Sequence, residues 1–125
     1  MFELGELETE VMDRLWAADT MLSVHDLVER LSESRRLAYT TVLTVVTHLH
    51  EKGWVEREKR QRAYFYQPTR GRAEAVSNAI REILDQSNCS IVALEHLAGT
   101  LSREEFDAVQ RGWESRSAQV PGSLG

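Results

Sequence analysis

The fold is decided by Ala38-Tyr39-Thr40-Thr41-Val42-Leu43-Thr44-Val45-Val46-Thr47-His48-Leu49-His50-Glu51-Lys52-Gly53 and the segment that follows it, Trp54-Val55-Glu56-Arg57-Glu58-Lys59-Arg60-Gln61-Arg62-Ala63-Tyr64-Phe65-Tyr66-Gln67-Pro68. In the first segment Val42, Val45, Val46 and Leu49 recur with helical spacing, which predicts a helix over about 39–52. Lys52-Gly53 closes it, with a cation in the last turn and a glycine for the left-handed position. Thr40, Thr41, Thr44, Thr47 and His48 fall largely on its other faces. After Gly53 the period changes from 3.6 to 2. Two short runs rich in Val and aromatics, 54–58 and 63–67, read as a hairpin. Tyr64 and Tyr66 share one face of the second run, Ala63 and Phe65 the other. Pro68 has no N–H to donate and ends the pairing. The tip, 59–62, lacks an Asn-Gly pair, so a longer, mobile loop is expected there.

Towards the N-terminus, Leu4, Leu7, Val11 and Leu15, widened by Met12 and Trp16, predict a helix over 4–17. Glu6, Glu8 and Glu10 stand in its early turns, where the helix dipole favours anions. Ser23-x-x-Asp26 has capping-box spacing, and Leu22 and Leu27 occupy the staple positions around it. A second helix over 24–33 follows, with Val24, Leu27, Val28 and Leu31 on one stripe. Beyond the hairpin, a fourth helix is expected over 70–86 and a fifth over 91–98, stopping at Gly99. A sixth opens on the capping box Ser102-x-x-Glu105, with Leu101 and Phe106 as its staple pair. Residues 117–125 have the small and helix-breaking residues of a frayed tail.

Three helices followed by a hairpin form the pattern of a winged helix-turn-helix. The expected fold class is mainly α: a winged helix over 1–70, a three-helix domain over 71–116 and a flexible tail over 117–125. The third helix is the candidate reader of a DNA major groove. Thr hydroxyls can hydrogen-bond phosphates or bases, and Thr methyls suit the thymine C5-methyl. Arg57, Lys59, Arg60 and Arg62 on the wing can reach backbone phosphate or the minor groove. The charge distribution supports this reading. The chain carries net charge −5, but residues 35–72 hold nine basic and three acidic side chains between two acidic ends.

The remaining composition narrows the alternatives. A chain of 125 residues with 42% apolar and 28% charged residues can bury a core and is neither low-complexity nor globally disordered. Its longest apolar run, Ile91-Val92-Ala93-Leu94, is too short to span a bilayer, and its first residues lack the pattern of a secretory signal. The single cysteine, Cys89, cannot form an internal disulfide and is expected to be a small, partly buried filler. A cytoplasmic protein is expected. His48 and His50 point about 200° apart on a helix, and His25 and His96 have no ligand-type neighbour one turn away, so no metal site and no cofactor are expected. No phosphate loop, nucleophile elbow or ligand cluster suggests an enzyme. The competing reading is a winged-helix protein–protein adaptor that does not bind DNA.

The C-terminal helices carry Val76, Ile80, Ile83, Leu84, Ile91, Val92, Leu94, Leu97, Leu101, Phe106, Val109 and Trp113. Three helices are too few to bury so many large side chains unaided. Folding back on the winged helix would cover them; the simpler way is an isologous homodimer through residues 71–115, which would also present two readers to two half-sites.

Three sets of residues together resemble the penicillinase-repressor family, of BlaI, MecI and CopY type, over about residues 4–113. They are the opening Leu4-Gly5-x-Leu7-Glu8-x-x-Val11-Met12-x-x-Leu15-Trp16, the run Leu37-Ala38-Tyr39-Thr40-Thr41-Val42-x-Thr44-Val45, and Leu49-x-x-Lys52-Gly53 with Tyr66-x-Pro68. The resemblance implies a bacterial homodimeric repressor of resistance or stress genes on a palindromic operator of double-stranded DNA. Tyr39, Thr40, Thr41, Thr44 and His48 would then lie on the recognition helix; members often carry Arg where His48 stands. Staphylococcal-type members are released by an inactivating protease at an Asn-Phe bond. Here the matching stretch is Leu94-Glu95-His96-Leu97, so that trigger is expected to be altered or missing. The Cys-x-Cys pair of copper-responsive members is not matched either, since Cys89 stands alone.

Overall fold

The computed structural model describes residues 4–119. Its elements are α1 (Glu6–Ala17), β1 (Leu22–Ser23), α2 (Val24–Leu31), α3 (Tyr39–Glu51), β2 (Val55–Arg60), β3 (Ala63–Pro68), α4 (Arg72–Ser87), α5 (Ser90–Ala98) and α6 (Arg103–Gln119). The result is a mainly helical chain with one small antiparallel sheet, as the periodicities predict. Contacts within the chain define two compact units that divide between Glu82 and Ile83.

The first unit is built around a single apolar core. Val11, Met12 and Leu15 of α1, Leu27 and Leu31 of α2, and Val42, Val46 and Leu49 of α3 are buried together. These are the stripes read from the 3.6 periodicity. The start of α2 is fixed by its predicted capping box: the Ser23 Oγ accepts from the Asp26 N–H at 3.1 Å, and the Ser23 N–H donates to Asp26 at 2.9 Å. Aspartate therefore reaches back as the longer glutamate usually does. At the end of α3, Gly53 adopts φ 82°. The N–H groups of Gly53 and Trp54 donate to the carbonyls of His50 and Leu49, which turns the chain sharply into the wing.

The wing differs from expectation at both ends. The tip is not a long loop. β2 and β3 pair up to Arg60 and Ala63, leaving Gln61 and Arg62 as a two-residue turn. Gln61 supplies the left-handed backbone (φ 58°) that Asn or Gly would usually provide. At the base, Pro68 lies opposite Val55 as the last residue of β3. It is tolerated because the strand ends there and no further ladder bond is required. A third strand was not foreseen. Leu22 and Ser23 pair with Tyr66 and Phe65, so the sheet order is β1-β3-β2. Two residues are too few to show a period, which hid β1 in the sequence.

The division between the two units falls inside α4, and α1 holds the start of that helix. The Trp16 Nε1–H donates to the Arg70 carbonyl at 2.9 Å. The Arg72 guanidinium lies 5.1 Å over the Trp16 ring and 3.2 Å from Asp13, and Ala75 is buried.

The second unit holds the end of α4, α5 and α6. Ser102 and Glu105 form the expected capping box of α6. The α6 helix continues to Gln119, three residues into the segment read as a tail; residues 120–125 lie outside the described residues. Cys89 is exposed, contrary to its expected role as a partly buried filler. It follows Asn88, whose φ of 61° interrupts the helical backbone between α4 and α5.

Candidate nucleic-acid interface

With Val42, Val46 and Leu49 turned into the core, α3 leaves Tyr39, Thr40, Thr41, Leu43, Thr44 and His48 exposed. All five residues read from the sequence therefore lie at the surface, and Leu43 joins them. Its signal was legible: an apolar residue one position off the buried stripe. Ala38 offers no side-chain cap to the first turn of α3, which leaves backbone N–H groups of the kind that donate to phosphate oxygens. The Tyr39 ring centroid lies 4.7 Å from that of His25 in the first turn of α2. Sequence reasoning missed His25 as a neighbour because the contact joins separate helices.

The Thr side chains do not behave alike. The Thr44 hydroxyl donates to the Thr40 carbonyl at 2.9 Å, and the Thr47 hydroxyl to the Leu43 carbonyl at 2.7 Å. A hydroxyl has one proton, so these two are committed to the helix. With that proton turned inward, Thr44 presents its methyl and its lone pairs outward.

The wing sorts its cations by face. Arg57 and Lys59 lie opposite Tyr66 and Tyr64 on one face of the hairpin. The Arg57 guanidinium stacks 4.2 Å from the centre of the Tyr64 ring, with Lys59 at 6.0 Å. Arg60 is on the other face. It pairs with Glu58 at 2.9 Å and rests 5.1 Å over Phe65. Arg62 stands at the turn. The four cations expected to act together thus separate into Arg57 with Lys59, Arg62 at the tip, and Arg60 apart.

Ion pairs divide the basic middle of the chain further. Arg35 contacts Glu10 at 2.7 Å and Glu6 at 3.1 Å; Lys52 contacts Glu8 at 3.0 Å; Arg72 contacts Asp13. All four acids belong to α1. Arg70 faces Glu74. Of the nine basic residues in 35–72, Arg36, Arg57, Lys59 and Arg62 have no carboxylate partner among the described residues. Arg36, in the turn before α3, was not singled out in the sequence because one of two adjacent arginines gives no sign of being the unpaired one.

The acidity of Glu8 is shifted. Burial raises its pKa, but the Gly5 N–H, the Lys52 ammonium and the charge of His48 outweigh it and hold the carboxyl below its ordinary value. No group of three or more His, Cys, Asp or Glu among the described residues could hold a metal ion. No described helix is long and apolar enough to cross a membrane.

The residues expected at a dimer interface lie on the last three helices. Val76, Ile80 and Ile83 on α4, Ile91, Leu94 and Leu97 on α5, and Phe106, Val109 and Trp113 on α6 are exposed; Leu84 is half-buried.

Three helices around one core, a reader helix with an outward polar-to-apolar face, and a hairpin bearing unpaired cations define a winged-helix transcriptional regulator. The model of the penicillinase repressor family matches residues 4–114, and the chain belongs to that family. It is similar to the transcriptional regulator BlaI of Mycobacterium tuberculosis, at 39% identity over 111 residues, covering 86% of this chain and 80% of that protein. It is also similar to the methicillin resistance regulatory protein MecI of Mammaliicoccus sciuri, at 28% identity over 65 residues and 52% of each chain. Among solved structures, the DNA-binding domain of the repressor BlaI aligns with a TM-score of 0.52 at 22% identity, covering 58% of this chain and 87% of that domain. A MarR mutant from E. coli aligns with a TM-score of 0.51 at 18% identity, over 91% and 78% of the two chains. Both structures share the fold. The chain is a transcriptional repressor of BlaI/MecI type, from a family that is not enzymatic.

Proposed function

We propose that the protein represses transcription in the cytoplasm as a homodimer on a palindromic operator of resistance or stress genes. In this reading α3 enters the major groove, reading through Tyr39, Thr40, Thr41, Thr44 and His48. Arg57, Lys59 and Arg62 on the wing contact the backbone, while Arg60, paired with Glu58, contributes less. The observation that carries the reading is charge selection on the fold. The acids of α1 neutralise Arg35, Lys52 and Arg72, while Arg57, Lys59 and Arg62 keep their charge on the hairpin.

Dimerisation is supported by exposed apolar residues. Ile91, Val92 and Trp113 are 69%, 62% and 64% exposed. Large apolar side chains this exposed favour a covering partner. Sedimentation of the full chain with a duplex carrying two half-sites tests both parts of the proposal. Two chains per duplex are expected, with affinity falling steeply and linearly in log salt. Binding that ignores salt refutes the DNA reading; one chain per palindrome at saturation refutes the dimer.

A further inference from the structure

We propose that α3 recognises thymine by its C5-methyl group, with Leu43 as the specificity-determining residue and the methyls of Thr44 and Thr47 beside it. The inference deepens the DNA-binding reading and rests on it. Residues 39–47 contain no Arg, Lys, Asn, Gln, Asp or Glu. The side chains that read guanine, adenine or cytosine by paired hydrogen bonds are therefore missing from the first two turns of the reader. The hydroxyl protons of Thr44 and Thr47 are held by the Thr40 and Leu43 carbonyls. Donation to a base acceptor would require breaking a bond already made.

What this face offers is apolar. Tyr39, Leu43 and Thr47 succeed one another at i, i+4 and i+8, and lie along one line of the helix. Leu43 is 38% exposed, the largest aliphatic side chain that α3 shows to water. In a major groove the thymine methyl is the one apolar group on a base edge. Leu43 gains from burying it, while the other three bases would set the side chain against polar atoms.

The test replaces thymine by uracil, which removes the methyl and keeps every hydrogen-bonding group. The full-length chain selects its best duplex from a random library, and copies of that duplex carry uracil at single positions. One or two substitutions per half-site are expected to weaken binding about fourfold each, the value of one buried methyl-sized group. Leu43→Ala is expected to bind the thymine and uracil duplexes alike. Thr44→Val, which keeps the methyl, should preserve the difference, and Thr44→Ser should reduce it. Selected half-sites without thymine, uracil copies that bind equally well, or a Leu43→Ala protein that still discriminates would each overturn the proposal. Failure to enrich any duplex over random DNA would overturn the DNA-binding reading along with it.

Discussion

Lys52 Nζ sits 3.0 Å from both carboxylate oxygens of Glu8, so the last turn of α3 is tied to the first turn of α1. The same carboxylate accepts the Gly5 N–H at 3.0 Å, which closes the start of α1. One acidic side chain thereby fixes the start of α1 and the far end of α3.

Glu8→Gln keeps the shape and the bond from Gly5 but removes the charge. A loss of about 0.5–1 kcal/mol of stability at pH 7 is expected. The folded-state pKa of Glu8 lies below its unfolded value, so its contribution is present at neutral pH. It begins to fall as pH drops below the unfolded pKa and is lost through the folded one. Urea titrations of both proteins at pH 7 and pH 3 check this. The gap should narrow at pH 3, and a gap unchanged by acid would contradict the pairing.

The wing predicts unequal salt effects. Lys59→Ala and Arg62→Ala should each lower the slope of log affinity against log salt by about 0.9. Arg60→Ala should lower it less, because Glu58 already neutralises that guanidinium at 2.9 Å. Anisotropy titrations of a labelled duplex at several salt concentrations read the slopes. Equal losses in all three variants would mean that Arg60 abandons Glu58 for DNA.

At the wing tip, Gln61 bears a left-handed conformation that costs a side-chain-bearing residue about 1–2 kcal/mol. Glycine avoids that cost but loses about 0.5–1 kcal/mol in chain entropy. Gln61→Gly should therefore stabilise the first unit by about 0.5 kcal/mol, measured as a higher urea midpoint. A lower midpoint would show that the turn does not have this backbone.

For assembly, Trp113→Glu and Ile91→Glu place a charge where an apolar contact is proposed. Each variant should sediment as a monomer at micromolar concentrations at which the parent chain is a dimer, with unchanged helical circular dichroism. Because both side chains are more than 60% exposed within one chain, neither change disturbs the fold of the monomer. Dimers that persist in both variants would place the interface elsewhere.

Local chemistry was sufficient for the sequence to define the helices, their capping boxes and the hairpin. Val42, Val46 and Leu49 share one face of a helix and are buried together, and the Ser23–Asp26 capping box marks where α2 starts. The family was legible too, since its motifs are runs of neighbouring residues. What needed the tertiary structure was everything that depends on partners distant in the chain. Nine basic residues look alike in a sequence, but only folding brings α1 acids to Arg35, Lys52 and Arg72 and leaves Arg57, Lys59 and Arg62 without a carboxylate partner among the described residues. The strand β1 exists because Tyr66 and Phe65 arrive beside Leu22 and Ser23. The end of the first unit lies within α4 because Trp16 and Asp13 reach the residues that open that helix. Periodicity records which face of an element avoids water; which charge meets which is settled by the packing of one element on another.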